Sequence, residues 1–201
     1  AIPEHFSPIF DVTQNGVPTG FGIEFMEMVA AQAHLRIEYR VYPSWDAVFA
    51  ALSNGQVDLV PNMGITDKRS REFSFTKPFS KFTLRLFVRQ DDRDRLRTLD
   101  DLIRQRGRVA VVEGNAGKTL LHARSDIATR TYHSLPDAFV ALRTGDVDAL
   151  VFPAEVVWYL GRQLEIDSHI EAVGPPLLEI PRGIAVREDR TELLATLNTA
   201  I

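Results

Sequence analysis

The chain has no cysteine among its 201 residues, which excludes disulfides, thiolate-bound zinc and thiol catalysis. That absence leaves the compartment open, since proteins on either side of a membrane can lack cysteine. No apolar run reaches the roughly 18 residues that a membrane-spanning helix needs. Lysine is scarce, with four against nineteen arginines. The arginines are scattered among acids and the net charge is −4, so there is no basic footprint for nucleic acid or another polyanion. His5, His34, His122, His133 and His169 share no metal-ligand spacing. No serine–histidine–acid set or carboxylate pair stands out, so neither a catalytic residue nor a cofactor is assigned. What the chain does have is apolar mass. Hydrophobic residues make up 45% of it, enough for a core in one domain or in two small lobes.

Residues 44–79 organise the rest. Ala47, Val48, Ala51 and Leu52 fall on one helical face. Ser44 stands at the N-cap, and Asn54-Gly55 ends the helix, because glycine tolerates the positive φ of a C-terminal cap. Val57–Val60 then reads as a short buried strand. Pro61-Asn62-Met63-Gly64 is expected to be a loop at that strand's carboxyl end, where open α/β sheets bind ligands. Thr66 is placed to cap a short helix, with Arg69 one turn in. The Asn62 amide side chain, the Gly64 backbone amide and the Arg69 guanidinium would together cradle a carboxylate.

Elsewhere, helical and extended patterns alternate. Gly20–Leu35 reads as an amphipathic helix with Ile23, Met26, Ala30 and Ala33 on its apolar stripe. Arg36–Val41 alternates like a strand, and Phe82–Val88 is another strand. Residues 89–108 carry dense charge of both signs and read as a solvated connector. A second series follows. Strands are expected at Arg108–Val112, Ala128–His133 and Val147–Phe152, and helices at Asn115–Arg124, Leu135–Arg143 and Ala154–Leu164. Ile170–Val173 and Pro181–Val186 are expected strands, and Thr191 opens a last helix. Such alternation argues for an α/β fold with mainly parallel sheets. One pattern occurs twice: Ser44-x4-Phe-x-Ala-Leu-x2-Gly-x-Val-Asp58 reappears as Ser134 to Asp148. A repeated helix–turn–strand unit suggests two lobes with a ligand cleft between them.

The Trp45-led helix, Gly55-x-Val-Asp58, the strand, Thr66-Asp-Lys-Arg69 and Phe73-Ser-Phe-Thr-Lys-Pro-Phe79 closely resemble the periplasmic solute-binding proteins of the amino-acid type, bacterial extracellular solute-binding family 3. The likeness runs, more weakly, from Phe6 to the end. It implies a two-lobed periplasmic-binding-protein-like fold of type II, each lobe a mainly parallel sheet flanked by helices. Lobe 1 would be residues 1–81 plus 184–201 and lobe 2 residues 85–180, with crossings near 81–84 and 178–183. It implies ligand contacts from Phe6 and Trp45, whose rings would sandwich the solute, from the Asn62, Gly64 and Arg69 cradle, and from Asn115 and Ala116 at a helix start in lobe 2. Glu113 would edge the cleft. The family also implies an extracytoplasmic location. Its opening strand would finish at Ala1-Ile2-Pro3, and residues 198–201 lie inside an expected helix, so a segment of a longer precursor is expected.

Two departures matter. Gly114-Asn-Ala-Gly-Lys-Thr119 invites a phosphate-loop reading, but a Walker loop needs glycine five residues before Gly117, and Val112 stands there. Amino-acid binders commonly hold the ligand's ammonium with an aspartate where this chain has Pro153. Proline suits the first turn of a helix but cannot pair with an ammonium; Glu155 is the nearest substitute. The expected ligand is therefore a carboxylate-bearing solute that is not held as an ordinary α-amino acid. The segment Phe152-Pro-Ala-Glu-Val156 looks like the sensory modules of membrane-bound signalling proteins. A sensor is expected, with the free receptor of an ABC permease as the alternative. A dehydratase acting on prephenate-like acids is a smaller alternative, in which Glu113 or Glu155 would have to be the general acid.

Overall fold

A computed structural model describes residues 1–201. In chain order its elements are β1 (Ile2–Pro3), β2 (Asp11–Val12), β3 (Pro18–Thr19), α1 (Phe21–Gln32), β4 (Val41–Tyr42), α2 (Trp45–Ser53), β5 (Leu59–Gly64), β6 (Phe73–Phe75) and β7 (Ser80–Arg89). They continue with α3 (Leu99–Arg104), β8 (Arg108–Val112), α4 (Ala116–His122), β9 (Ala128–Tyr132), α5 (Leu135–Thr144), β10 (Ala149–Pro153), α6 (Ala154–Gln163), β11 (Ile170–Arg187) and α7 (Thr191–Ala200). Short 3-10 turns lie at Arg69–Arg71, Gln90–Asp92 and Asp167–His169. No helix is long and apolar enough to cross a membrane. The chain forms two compact α/β units, Ala1–Phe82 with Ile180–Ile201, and Thr83–Glu179. It passes from one to the other within β7 and returns within β11.

In the first unit, β11 takes β5 on one side and β6 on the other, both antiparallel. β1 and β4 form a short parallel pair, and β2 and β3 a hairpin. The alternating residues 36–41 do not make the expected strand. Only Val41–Tyr42 enter a ladder, because the partner β1 is itself two residues long. Helix α1 buries Ile23, Met26, Val29 and Ala30, and the last three pack with Ile184, Val186 and Leu197. On α2, Val48, Ala51 and Leu52 are buried, and Val48 and Leu52 pack against Val60, Met63 and Phe73.

In the second unit, β9, β8 and β10 run parallel and β7 joins β10 antiparallel. Val109, Val111, Ala149 and Val151 form its core with Leu86 and Leu121. The charged stretch 89–108 is not a simple connector. Thr98 caps α3 through a reciprocal pair with Asp101, and Leu96 and Leu102 are fully buried. The density of charge hid a leucine stripe, Leu96, Leu99 and Leu102, that packs into the core of this unit. The two short strands expected near residues 170 and 181 are one 18-residue strand, β11.

Candidate functional site

The strand expected to end at Val60 continues through Pro61-Asn62-Met63 to Gly64, and all six of its residues are buried. Proline can sit in it because β5 is an edge strand, paired only with β11, and the ladder shifts register between Gly183 and Ala185. The expected loop is thus the last half of β5. Gly64 lies opposite Arg182, and the Ile65 amide donates to Pro181 O at 2.7 Å. That register makes Gly64 and Arg182 a non-hydrogen-bonded pair, so both backbone groups of Gly64 point off the outer edge of the strand. There the Arg69 Nη1 donates to Gly64 O at 3.0 Å.

Arg69 is held from two sides. The Thr66 hydroxyl accepts from the Arg69 amide at 3.3 Å, and the Ser70 amide donates to Thr66 O at 2.8 Å, which winds the turn. The guanidinium lies over the Phe49 ring, 4.9 Å from its centroid. Loss of hydration lowers its pKa to about 10, still charged at neutral pH. A cation part-removed from water gains strongly from an anionic ligand.

Aromatic rings adjoin this cation. Phe49 stacks on Trp45 at 5.6 Å between centroids, Trp45 meets Phe6 edge-on at 5.4 Å, and Phe6 lies 6.0 Å from Phe82. The Phe6 loop is pinned by reciprocal backbone bonds with Phe10, at 2.9 and 3.0 Å. Phe6 and Trp45 are half-buried, as suits rings that pack behind and leave a face in front.

Asn62 is fully buried. Its side-chain oxygen accepts from Arg182 Nε, and its main-chain oxygen accepts from Arg182 Nη2 at 2.7 Å. Its Nδ2 has no hydrogen-bond partner. Arg182 is itself 4% exposed and lies over the rings of Phe82 and Phe6, 4.1 and 5.8 Å from their centroids. Arg182, Phe49 and Phe82 were missed in the sequence reading. The available signal was a lone charge inside the apolar run Ile180-Pro-Arg-Gly-Ile184, since a buried charge must be partnered.

The remaining expected residues belong to the second unit. Asn115 caps α4, its Oδ1 accepting from the Gly117 amide at 2.9 Å, and Ala116 begins the helix. Gly117 is required there, because a Cβ would lie 2.6 Å from Val151 O. Glu113 is exposed and pairs with Lys118 at 2.6 Å. Pro153 is not in the first turn of α6, as expected, but one residue earlier, as the last residue of β10 and opposite Leu84. Glu155 accepts the Thr83 amide on both carboxylate oxygens, at 3.1 and 3.2 Å. No cluster of histidine, aspartate and glutamate side chains is placed to hold a metal ion.

Comparison with known proteins places this arrangement. A probable histidine-binding protein of Neisseria gonorrhoeae is 27% identical over 98% of this chain and 73% of its own length. ABC transporter arginine-binding protein 1 of Escherichia coli K12 is 25% identical over 98% of this chain and 80% of its own. Among solved structures, a histidine kinase sensor domain with similarity to periplasmic binding proteins superposes with a TM-score of 0.87 at 25% identity, covering 99% of this chain and 86% of that one. Such relatives are mainly binding proteins. The family model of the bacterial extracellular solute-binding proteins, family 3, matches residues 1–201, and with its two α/β units the chain belongs to that family.

Proposed function

We propose that the chain captures a small carboxylate-bearing solute outside the cytoplasm by closing two lobes over it, as the sensory part of a membrane-bound signalling protein. The observation that carries this reading is Arg69, a partly dehydrated guanidinium fixed at Gly64 O over the Phe49 ring, from which the Trp45 and Phe6 rings continue. Planar apolar walls with one bidentate cation suit a small organic anion. Asn115 and Ala116 of the other lobe would add amides to the same carboxylate, with Glu113 at the rim. Closure is favoured when the bound solute makes extra contacts in the closed form.

Pro153 and Glu155 support a ligand without an α-ammonium anchor. Proline offers no acceptor side chain, and the Glu155 carboxylate is engaged by the Thr83 amide. The same departure, with the likeness to a kinase sensor domain, favours sensing over delivery to an ABC permease. The permease reading has its own support in the likeness to a transporter's arginine-binding protein.

A thermal-shift series of organic acids and amino acids tests the capture, because a solute that binds the native form raises its melting point. Carboxylates should stabilise the wild type, and Arg69→Ala should abolish the shift without loss of fold. A melting point unmoved by every acid tried would reject the proposal. Conversion of a prephenate-like acid to an aromatic product would replace capture with catalysis. The gene's coding sequence beyond residue 201 separates the two uses: a membrane span there means sensor, and an early stop means transporter receptor.

A further inference from the structure

We infer that the side-chain nitrogen of Asn62 is a donor reserved for the solute, and that the captured acid carries an uncharged oxygen acceptor, such as a keto group, besides its carboxylate. This rests on the capture reading above and narrows its ligand class. One atom carries it. Asn62 is fully buried, and its Nδ2 has no hydrogen-bond partner. Buried donors in folded chains are nearly always satisfied, because an orphan keeps the whole cost of its lost water.

The orientation of this amide is set by its neighbour. Arg182 Nε donates to Asn62 Oδ1, and Arg182 Nη2 donates to Asn62 O at 2.7 Å. A guanidinium has donors and no acceptor, so the oxygen end of the amide must face it and the nitrogen end must face away. The Phe82 and Phe6 rings lie against the guanidinium and fix its plane. Arg182 is engaged by the protein itself and is not counted here as a ligand contact. Its contact with Asn62 makes a fixed donor of an amide that would otherwise turn either end outward.

That donor lies beside the carboxylate clamp. Asn62 and Gly64 are two residues apart on β5, at most about 7 Å from each other. A Cβ built on Gly64 would lie 3.0 Å from Arg69 Nη1 and 3.5 Å from Arg182 Nη1. The guanidinium that holds Asn62 therefore reaches along the strand to the place where Arg69 stands, and both side chains lie on one side of it. A carboxylate on Arg69 has Asn62 within the length of a short carbon chain. The solute atom that meets Nδ2 must accept a hydrogen bond. A keto oxygen does so, whereas an ammonium has only donors and leaves Nδ2 unsatisfied.

The experiment is calorimetric titration, at fixed pH and ionic strength, of 2-oxobutyrate and 4-oxopentanoate against butyrate and pentanoate, the same chains without the keto oxygen. The two keto acids set the acceptor at two distances from the carboxylate, and 2-aminobutyrate supplies the ammonium arm. In the wild type at least one keto acid should bind about tenfold more tightly than its plain counterpart, the ratio expected from satisfying one buried donor. The amino acid should gain nothing over butyrate. Asn62→Asp keeps the oxygen that Arg182 needs and replaces the donor with an acceptor. It should erase the keto preference, and that ratio is a reading that a general loss of packing would leave in place. Equal binding of keto and plain acids by the wild type overturns this inference alone, as does tighter binding of 2-aminobutyrate than of both keto acids. A keto preference surviving in Asn62→Asp also overturns it. Binding of no acid of any class overturns the capture reading as well. Should Asn62→Asp fail to fold, the wild-type ratios decide by themselves.

Discussion

The helix–turn–strand pattern that occurs twice in the sequence folds the same way twice and ends in different chemistry. Ser44 and Ser134 both cap their helices, each hydroxyl accepting an amide three residues on at 3.2 Å. Gly55 and Gly145 both follow with positive φ, 69° and 82°. Leu52 and Leu142 are both fully buried. Asp58 and Asp148 both stand at a strand entrance and accept a neighbour, Arg190 in one case and the Arg108 amide, at 2.8 Å, in the other. Beyond that point they part. β5 runs on to Asn62, Gly64 and the Arg69 turn, while β10 ends at Pro153 and opens α6. Phe49 is half-buried beneath Arg69, but its counterpart Phe139 is 3% exposed and serves the core. A local pattern thus specifies an element, and the residues after it decide whether that element carries a site.

Substitutions at paired positions sharpen this contrast. Leu52→Ala and Leu142→Ala should have the largest effects and should match, each losing about 2–5 kcal/mol of unfolding free energy in denaturant titrations. A large disparity would show that the two units are not equivalent in packing. Arg69→Ala should reduce carboxylate affinity by about 1.5–3 kcal/mol in calorimetry and leave the melting point of the free protein nearly unchanged. In the second unit, Glu155→Ala should cost far less affinity, because that carboxylate is turned to the Thr83 amide. Ser44→Ala and Ser134→Ala should each cost about 1 kcal/mol.

The smallest effect concerns α3. The Thr98 hydroxyl, and then Arg104, hold the Asp101 carboxyl down at about 2, below its usual value of 3.8. A depressed carboxylate contributes stability that is present above its unfolded pKa and fades as pH falls toward the folded one. Asp101→Asn should therefore lose that contribution at neutral pH and show a flatter fall of stability between pH 4 and pH 2, variant and wild type converging at the acid end when unfolding is read at each pH.

Much of the fold was legible because its helices and parallel strands follow from local period. β8 matches its expected bounds of Arg108–Val112, and α5 extends the expected helix by one residue. The misses among the strands share a cause, since each depended on partners distant in sequence. Residues 36–41 alternate like a strand but have only two residues to pair with. Pro61–Gly64 read as a loop because proline and glycine break local patterns, yet β11, more than a hundred residues later, recruits them into a ladder. Residues 174–180, rich in proline and glycine, continue β11 for the same reason.

The amino-acid order by itself determined most of the helices and the parallel strands, the Ser44 cap, the family pattern and Arg69 as a cation one turn beyond Thr66. Only the tertiary structure decided what surrounds that cation. It brought Arg182 and Phe82 beside Asn62 and Gly64, and it buried the Asn62 side chain. Helical and strand periods are set by neighbours along the chain. A site is set by which groups the packing leaves without water, and that depends on contacts more than a hundred residues apart in sequence.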